Sequence, residues 1–422
     1  MYSPATSFIA GLVDSPQGLQ DFIRISPTKE LFRGPDEETC YQILTSFLNK
    51  YGVLPSRQRF QEQGIDLPSN PPDPIDFYAE QLRTRHLHMT LKQSVLDVQE
   101  YLNAENPEKA LSYLGDTLLR LTRAKHGPKM LNFAADGKEL IAHAIKLVKL
   151  QGDSYGIKTG WPTLDNMVGG VTGGDVVAIV GRPANGKTYC MLYNAEHAWN
   201  VQDKIPMFVT MEMKTLLIAQ RLAAVNAKKP ITALKKGELS SAAEKDLFAK
   251  LEHNKTKESF WIIDGGLTAT VKEIILLARQ LKPSVVYIDG AYLVKGDDPR
   301  QQRWDRTTSV LERVKGDLAE ALDIPVFISF QFNREGTKKG GLEHIAYADA
   351  VGQLSSVVLG MGMSDKVDSV ETLNTRKIDI LKGRSGECGS FNINWRFDQG
   401  PNYMDFSEVK EIQQTDLTYG ME

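Results

Sequence analysis

The segment that most constrains this chain is residues 181–188, which read Gly-Arg-Pro-Ala-Asn-Gly-Lys-Thr. It follows the apolar run 176–180 and precedes a stretch that is compatible with a helix. Its two glycines let the backbone curl so that consecutive N–H groups face a phosphate, and the positive end of the next helix points to the same place. The alternative is an ordinary glycine-rich turn with a surface lysine. The strand before the segment and the helix after it argue against that alternative. The segment therefore predicts a phosphate-binding loop in an α/β domain.

The loop predicts both a nucleotide and a metal ion. Lys187 is expected to reach the β- and γ-phosphates, and the Thr188 hydroxyl is expected to ligate Mg²⁺. Backbone groups of the other residues would surround the phosphates. The predicted nucleotide contacts are Gly181, Arg182, Pro183, Ala184, Asn185, Gly186, Lys187, Thr188 and Tyr189.

Beyond residue 154, short β-branched runs alternate with longer amphipathic segments, which is the pattern of a parallel sheet covered by helices. Thr270 and Glu273 form a capping box that marks the start of one of these helices. The predicted strands cover residues 176–180, 207–210, 260–263, 285–288, 326–329, 357–359, 378–381 and 393–397. The predicted fold class is therefore α/β with a mostly parallel sheet.

Polar residues follow several of these strands, at the edge where parallel strands end and ligands bind. Asp289 ends one strand and is the expected partner of Mg²⁺ through water, with Asp264, at the end of another strand, as the rival. Glu212 follows a third strand, either as a water-activating base or as a surface carboxylate. Gln331 lies just past a fourth, where its amide could sense a γ-phosphate and move the adjacent loop.

A basic turn, Lys382-Gly383-Arg384-Ser385-Gly386, follows the run 378–381. Two cations on a flexible turn suit the stabilisation of a phosphoryl-transfer transition state. An ordinary basic hairpin tip has the same composition, so the turn by itself leaves both interpretations open.

The first part of the chain, residues 1–124, predicts a small helical domain, because apolar residues recur there at helical spacing. A linker, residues 125–152, then carries one amphipathic helix with Asp136 and Glu139 at capping-box spacing. The α/β domain follows at residues 153–406, and residues 407–422 are interpreted as a polar tail. The linker helix has an apolar stripe that packs either on its own chain or on a neighbour. This linker stripe consists of Leu140, Ile141, Ala144, Ile145 and Val148.

Composition limits the classes of function. With 50 Lys+Arg against 53 Asp+Glu, the chain of 422 residues has a net charge of −3. Any contact with nucleic acid must therefore come from local basic loops or from repeated subunits. The wide separation of Cys40, Cys190 and Cys388 argues against a disulfide scaffold and against a zinc site. No run approaches the roughly 18 apolar residues that would span a membrane, so a cytoplasmic enzyme or assembly is expected.

The chain resembles the ATPase domain of the replicative hexameric DNA helicases, the DnaB-like family, which is built on a RecA-type core. The resemblance covers residues 154–400. The stretches that carry it are Thr159-Gly160-Trp161-Pro162-Thr163-Leu164-Asp165, the loop 181–188, Thr210-Met211-Glu212-Met213, Ile288-Asp289, Ser329-Phe330-Gln331-Phe332-Asn333-Arg334 and Lys382-Gly383-Arg384-Ser385-Gly386.

The resemblance implies an ATP-driven ring of six subunits that moves along single-stranded DNA and unwinds the duplex at a replication fork. Glu212 would activate water, Asp289 would lie on the magnesium side, and Gln331 would couple the γ-phosphate to DNA. Arg384, with Lys382, would reach the ATP of the adjacent subunit, and the linker stripe would pack on the neighbouring ATPase domain. The family also suggests primase and a helicase loader as partners, in a bacterial cell or a virus-infected one.

Two positions depart from the family pattern. The family usually has an aromatic residue directly after the aspartate that corresponds to Asp289, whereas this chain has Gly290, then Ala291 and Tyr292. Phe330 stands where a small hydroxyl residue is common. Both departures fall beside residues with predicted roles.

The best candidate for DNA contact is the segment that follows Gln331, residues 334–342. Its lysines and glycine amides could hold phosphates of single-stranded DNA, although a basic, glycine-containing turn is often only a solvated loop. The predicted DNA-binding residues are Arg334, Lys338, Lys339, Gly340 and Gly341.

Two other functions fit the same core. One is a strand-exchange recombinase of the RecA type, which forms an open filament. The other is an ATP-switched assembly or signalling protein, because fold alone does not determine function.

Overall fold

The computed structural model of the chain describes residues 3–69, 71–123, 133–151, 156–266, 269–296, 303–331, 348–362, 374–397 and 403–409. The chain divides into two compact units, Met1–Ala144 and Ile145–Glu422. The first unit is helical, and the second contains a sheet. None of the described helices is both long enough and apolar enough to cross a membrane.

Helices build the first unit, as the spacing of its apolar residues predicts. They are α1 (Pro4–Asp14), α2 (Gly18–Ile25), α3 (Pro35–Tyr51), α4 (Arg57–Gln61), α5 (Ile75–Asn103) and α6 (Pro107–Arg123). The side chains of Phe8, Leu44 and Leu82, from α1, α3 and α5, are almost completely buried. These three helices therefore share one hydrophobic core.

The linker forms a single helix, α7 (Phe133–Gln151), as predicted. The predicted capping box of Asp136 and Glu139 is wrong, because the helix begins ahead of both residues. Residues 134 and 135 are alanines, which have a high helix propensity, so the helix includes them and begins before Asp136. Three members of the linker stripe, Ile141, Ile145 and Val148, are 48%, 49% and 43% exposed. The apolar stripe is thus left partly uncovered.

One mixed sheet of eight strands organises the described part of the second unit, in the order β3-β2-β4-β5-β1-β6-β7-β8. The strands are β1 (Val176–Gly181), β2 (Pro206–Thr210), β3 (Trp261–Asp264), β4 (Val285–Asp289), β5 (Val326–Gln331), β6 (Val357–Gly362), β7 (Thr375–Lys382) and β8 (Gly389–Asn394). Strands β1 to β6 run parallel to one another, whereas β7 is antiparallel to β6 and β8 is antiparallel to β7. The predicted fold class is confirmed.

The parallel strands bring their carboxyl ends to one edge of the sheet. Every residue of β1 and β4 is buried, as expected for strands that are covered on both faces. In register, Gly181 at the end of β1 pairs with Gln331 at the end of β5. Thr210 at the end of β2 likewise pairs with Asp289 at the end of β4. Residues that are distant in sequence therefore meet at this edge.

Helices connect the strands. They are α8 (Pro162–Val168), α9 (Lys187–Gln202), α10 (Thr215–Ala227), α11 (Ile231–Lys236), α12 (Ser241–Asn254), α13 (Val271–Leu281), α14 (Arg303–Arg313) and α15 (Ala348–Leu354). The predicted capping box is present at α13, where Thr270 and Glu273 exchange hydrogen bonds. Helix α14 continues as a π-helical segment, Val314–Glu320.

The last strand lies earlier in the chain than predicted. Residues 393–397 predict a strand, but β8 ends at Asn394. Trp395 and Phe397 instead pack against Phe406, with ring centroids 5.2 and 5.4 Å away. Their apolar character reflects this aromatic cluster, not a strand. Beyond it, the Val409 N–H donates to the Asn392 carbonyl at 2.8 Å, so this part of the chain pairs with β8.

Candidate active site

The loop 181–188, which is predicted to bind phosphates, connects β1 to α9, so its predicted position between a strand and a helix is confirmed. Ala184 and Gly186 have φ angles of +65° and +90°, and helix α9 starts at Lys187. The Lys187 Nζ donates to the carbonyls of Gly181 and Arg182, at 3.1 Å each. Burial lowers the pKa of Lys187, and the charges of Asp289 and Glu212 oppose that shift. The lysine is therefore folded over its own loop, on the side where two carboxylates lie.

An aromatic ring supports the loop from behind. A Cβ atom at Gly186 would lie 2.1 Å from Cη2 of Trp395, so only glycine fits against the indole. The Trp395 ring also contacts Tyr189 edge-on, at a centroid distance of 6.5 Å. The Arg221 guanidinium lies over the Tyr189 ring, with its Cζ 4.8 Å from the ring centroid. Sequence reasoning missed Trp395, although its place in an aromatic-rich run was a signal.

Thr188 and Asp289 meet at the carboxyl edge of the sheet. The Thr188 hydroxyl donates to Oδ2 of Asp289 at 2.6 Å, and the Ser329 hydroxyl donates to Oδ1 at 2.9 Å. Asp289 is only 4% exposed. A hydroxyl and a carboxylate are oxygen ligands of the kind Mg²⁺ prefers, and this ion usually fills its remaining positions with water and phosphate oxygens. The residues present therefore fit the predicted ion.

The rival carboxylate, Asp264, lies on the outer strand β3. Its Oδ1 accepts a hydrogen bond from the Gly266 N–H at 2.9 Å, which is the geometry of an ordinary turn. No contact joins it to Thr188 among the described residues. Asp289 is thus the carboxylate that faces the loop.

Glu212 follows β2 at the same edge. Desolvation by the surrounding protein, followed by the charge of Asp289, raises the pKa of the Glu212 carboxyl, and Lys187 opposes the shift. These mutual effects mean that the two carboxylates and the lysine lie within electrostatic range of one another. A carboxylate with a raised pKa, placed near bound phosphates, can accept a proton from water.

Tyr292 connects Glu212 to Gln331. The Tyr292 hydroxyl donates to Oε1 of Glu212, and the Gln331 Nε2 donates to the hydroxyl at 2.5 Å. The Tyr292 ring packs edge-on against Phe330, with centroids 6.2 Å apart. Sequence reasoning singled out Gln331 and Glu212 but gave Tyr292 no role.

The glycine after Asp289 explains how Tyr292 reaches this place. Gly290 has a φ of +88°, in the left-handed region that favours glycine. Its N–H donates to the Ser329 hydroxyl at 2.7 Å, and a 3₁₀ turn, Ala291–Leu293, follows it. This turn carries Tyr292 back over the edge of the sheet. The two departures from the family pattern, Gly290 and Phe330, thus both support the same tyrosine.

The basic turn lies at the opposite edge of the sheet, where the parallel strands begin. We call this the amino edge. Because β7 is antiparallel to β6, Lys382 at its end pairs with Val358 near the start of β6. The Lys382 Nζ donates to two carbonyls at the end of α15, those of Gly352 at 2.6 Å and Ser355 at 2.8 Å. Burial, and secondarily the charge of Lys315, lower the pKa of Lys382.

Arg384 forms an ion pair with Asp175, the residue that precedes β1. At about 3.3 Å per residue, the length of β1 separates this pair from the phosphate loop of the same chain by about 20 Å. The structure therefore brings Lys187, Thr188, Glu212, Asp289 and Gln331 together and holds Lys382 and Arg384 apart from them. The predicted DNA-binding residues Arg334, Lys338, Lys339, Gly340 and Gly341 lie outside the described residues.

Comparison with known proteins shows which family the chain resembles. The replicative DNA helicase DnaB of Treponema pallidum is 28% identical over 257 residues, which are 58% of this chain and 55% of that protein. The replicative DNA helicase DnaC of Bacillus subtilis is 22% identical over 330 residues, 76% of this chain and 72% of that protein. The aligned segment thus spans about half of the first relative and more of the second.

Solved structures share the fold. A DnaB-like replicative helicase, solved in a study of its interactions with primase, has a TM-score of 0.66 at 17% identity, over 96% of this chain and 99% of that chain. A second solved structure, of an isolated ATPase domain, has a TM-score of 0.58 at 20% identity, over 65% of this chain and 99% of that chain. Residues 156–407, more than half of the chain, match the DnaB-like helicase C-terminal domain family. The chain therefore belongs to the DnaB-like helicases, as its motifs predict.

Proposed function

We propose that the chain is an ATP-driven replicative DNA helicase that works as a ring of six subunits on single-stranded DNA. The observation that carries the proposal is the division of the predicted site between two edges of one sheet. Lys187, Thr188 and Asp289 lie at the carboxyl edge, and Arg384 lies at the amino edge. A site divided in this way requires a second copy to complete it.

Each group at the carboxyl edge has a chemical task. The loop amides and Lys187 bind the phosphates of ATP. Thr188 and Asp289 would hold Mg²⁺, which would neutralise charge on the transferred phosphoryl group. Glu212 accepts a proton from the attacking water. Gln331 hydrogen-bonds to the γ-phosphate and transmits its presence to the loop that follows.

The adjacent subunit of the hexamer supplies the remaining cation. Subunits that associate head to tail present different surfaces to each other, and such contacts close into a ring when the rotation allows it. This arrangement brings the amino edge of one subunit against the carboxyl edge of the next. Arg384, and Lys382 beside it, then reach the ATP of the adjacent subunit and stabilise the transition state. The ion pair with Asp175 has to open for that contact.

The linker helix gives a further contact between subunits. The partly exposed Ile141, Ile145 and Val148 form an apolar stripe on α7 that needs a partner. We place that stripe on the ATPase domain of the neighbouring subunit. Its burial there would hold the ring together between rounds of hydrolysis.

DNA contact is assigned to the segment that follows Gln331, with Arg334, Lys338 and Lys339 as its cations. Six copies around a central channel would supply enough charge, although each subunit carries a net charge of −3. Primase and a helicase loader are the proposed protein partners. The solved relative was described together with its interactions with primase. The activity is placed in the cytoplasm of a bacterial cell, whether the gene is cellular or viral.

Replacement of Lys187 tests the function. Lys187→Ala removes the cation that faces the phosphates, so ATP hydrolysis and unwinding of a forked duplex should be lost together. Lys236→Ala, at the exposed end of α11, is the matched control and should retain both activities. Unwinding by the Lys187→Ala protein would refute the mechanism, and a wild-type protein that unwinds nothing would refute the function.

A further inference from the structure

We propose that Tyr292 is a positioning residue that couples Gln331 to the water-activating Glu212. The inference rests on the proposed function and adds to it the path by which DNA regulates hydrolysis. Its basis is the continuous chain of hydrogen bonds from the Gln331 amide to the Tyr292 hydroxyl and on to the Glu212 carboxylate.

The chemistry of the three groups fixes the direction of this chain. An ionised carboxylate only accepts hydrogen bonds, and a tyrosine hydroxyl has one proton to donate. The hydroxyl of Tyr292 therefore donates to Glu212, and its oxygen is left to accept from the Nε2 of Gln331. Hydrogen bonds that run in one direction strengthen each other. A change in the bond from Gln331 to Tyr292 therefore alters the strength of the bond from Tyr292 to Glu212.

The backbone holds Tyr292 in place for this task. The left-handed Gly290 and the turn Ala291–Leu293 set its position after Asp289. The buried Phe330 supports the ring and is also the residue directly before Gln331. Strands β4 and β5 therefore both fix the geometry. A movement of the segment after Gln331 would therefore act on Tyr292 through this hydrogen bond.

The coupling has a direct consequence for DNA stimulation. When DNA moves the segment that begins after Gln331, the amide changes its bond to Tyr292, and the tyrosine changes the orientation of Glu212. ATP turnover then depends on DNA, whereas binding of ATP by the phosphate loop does not. Loss of the hydroxyl should remove the dependence and leave ATP binding intact.

The test is the Tyr292→Phe variant, which keeps the ring and removes only the hydroxyl. Steady-state ATP hydrolysis is measured with and without single-stranded DNA. The variant should show DNA stimulation reduced from the wild-type factor towards one, with its KM for ATP within about twofold of wild type. The matched control is Tyr287→Phe on β4, because the buried Tyr287 hydroxyl has no hydrogen-bond partner among the described residues. The control should keep the wild-type stimulation.

A second variant, Gln331→Met, makes the test independent of any single substitution. In the wild-type background it should lower DNA stimulation, and in the Tyr292→Phe background it should change stimulation by less than about twofold, because the path is already broken. Full multiplicative effects of the two substitutions would overturn the coupling, as would wild-type stimulation in Tyr292→Phe. A wild-type protein that DNA does not stimulate would instead refute the proposed function, and the coupling with it.

Discussion

The packing of Trp395 behind the phosphate loop predicts a severe effect of adding one methyl group at Gly186. The new Cβ would lie 2.1 Å from the indole, whereas carbon atoms in contact are about 3.5–4.0 Å apart. The indole, which is packed against Tyr189, Phe397 and Phe406, would have to move by more than about 1 Å. Overpacking of this kind costs about 1–3 kcal/mol. The left-handed backbone adds about 1–2 kcal/mol for any L side chain.

Gly237 provides the matched control for Gly186→Ala. It also has a left-handed φ, +69°, but no atom lies within 4 Å of a Cβ placed there. Gly237→Ala should therefore cost only the backbone strain of about 1–2 kcal/mol, against about 2–5 kcal/mol for Gly186→Ala.

Thermal unfolding and binding of a fluorescent ATP analogue separate the two variants. The Tm of Gly186→Ala should fall by roughly 5–15 °C, which is clearly more than the fall for Gly237→Ala. Its affinity for the analogue should drop at least about tenfold, because the loop amides no longer converge on the phosphates. Equal melting temperatures, with wild-type binding by Gly186→Ala, would show that the indole does not support the loop.

Two further predictions concern charged groups. Asp165 accepts hydrogen bonds from the Thr159 N–H and hydroxyl and from the Gly160 N–H, at 2.7, 2.9 and 3.1 Å, so Asp165→Asn should cost about 1–3 kcal/mol of unfolding free energy. Thermal unfolding should detect that loss, with the exposed Asp203→Asn as the control, and equal stability of the two variants would contradict it. Because the pKa of Glu212 is raised, its carboxylate becomes protonated at a higher pH than an ordinary glutamate does. As the pH falls, kcat should therefore begin to decline above pH 4.5, the ordinary pKa of glutamate. A kcat that stays constant down to that pH, with ATP binding measured in parallel, would exclude Glu212 as the base.

The carboxyl edge of the sheet could be predicted because it follows from local patterns. Apolar strands that alternate with helices predict parallel pairing, and parallel strands end at one edge. Thr188, Glu212, Asp289 and Gln331 each come after an apolar run, so their place at this edge could be predicted. The order of the strands could not, and it is this order that puts the rival Asp264 on the outer strand β3. The helical first unit and the single linker helix were predictable from spacing in the same way.

The features that could not be predicted depend on contacts between residues that are far apart in the sequence. Nothing near Gly186 indicates that Trp395 packs against it. The place of Arg384 at the amino edge depends on the antiparallel direction of β7, which its residue types do not reveal. The role of Tyr292 required the left-handed turn at Gly290. The capping-box prediction at Asp136 failed for a local reason, because a spacing of three residues recurs inside helices as well as at their ends.

The central claim is that each ATP lies between two subunits and is completed by Arg384 of the second. Glu212→Gln and Arg384→Ala subunits should each be inactive in ATP hydrolysis alone, and Arg384→Ala should still bind ATP. When the two are assembled together in equal amounts, about one quarter of the interfaces should pair an intact Glu212 with an intact Arg384 by random mixing. Recovery of ATP hydrolysis in the mixture is the predicted result. Full hydrolysis by Arg384→Ala alone, or none at any mixing ratio, would contradict the shared site.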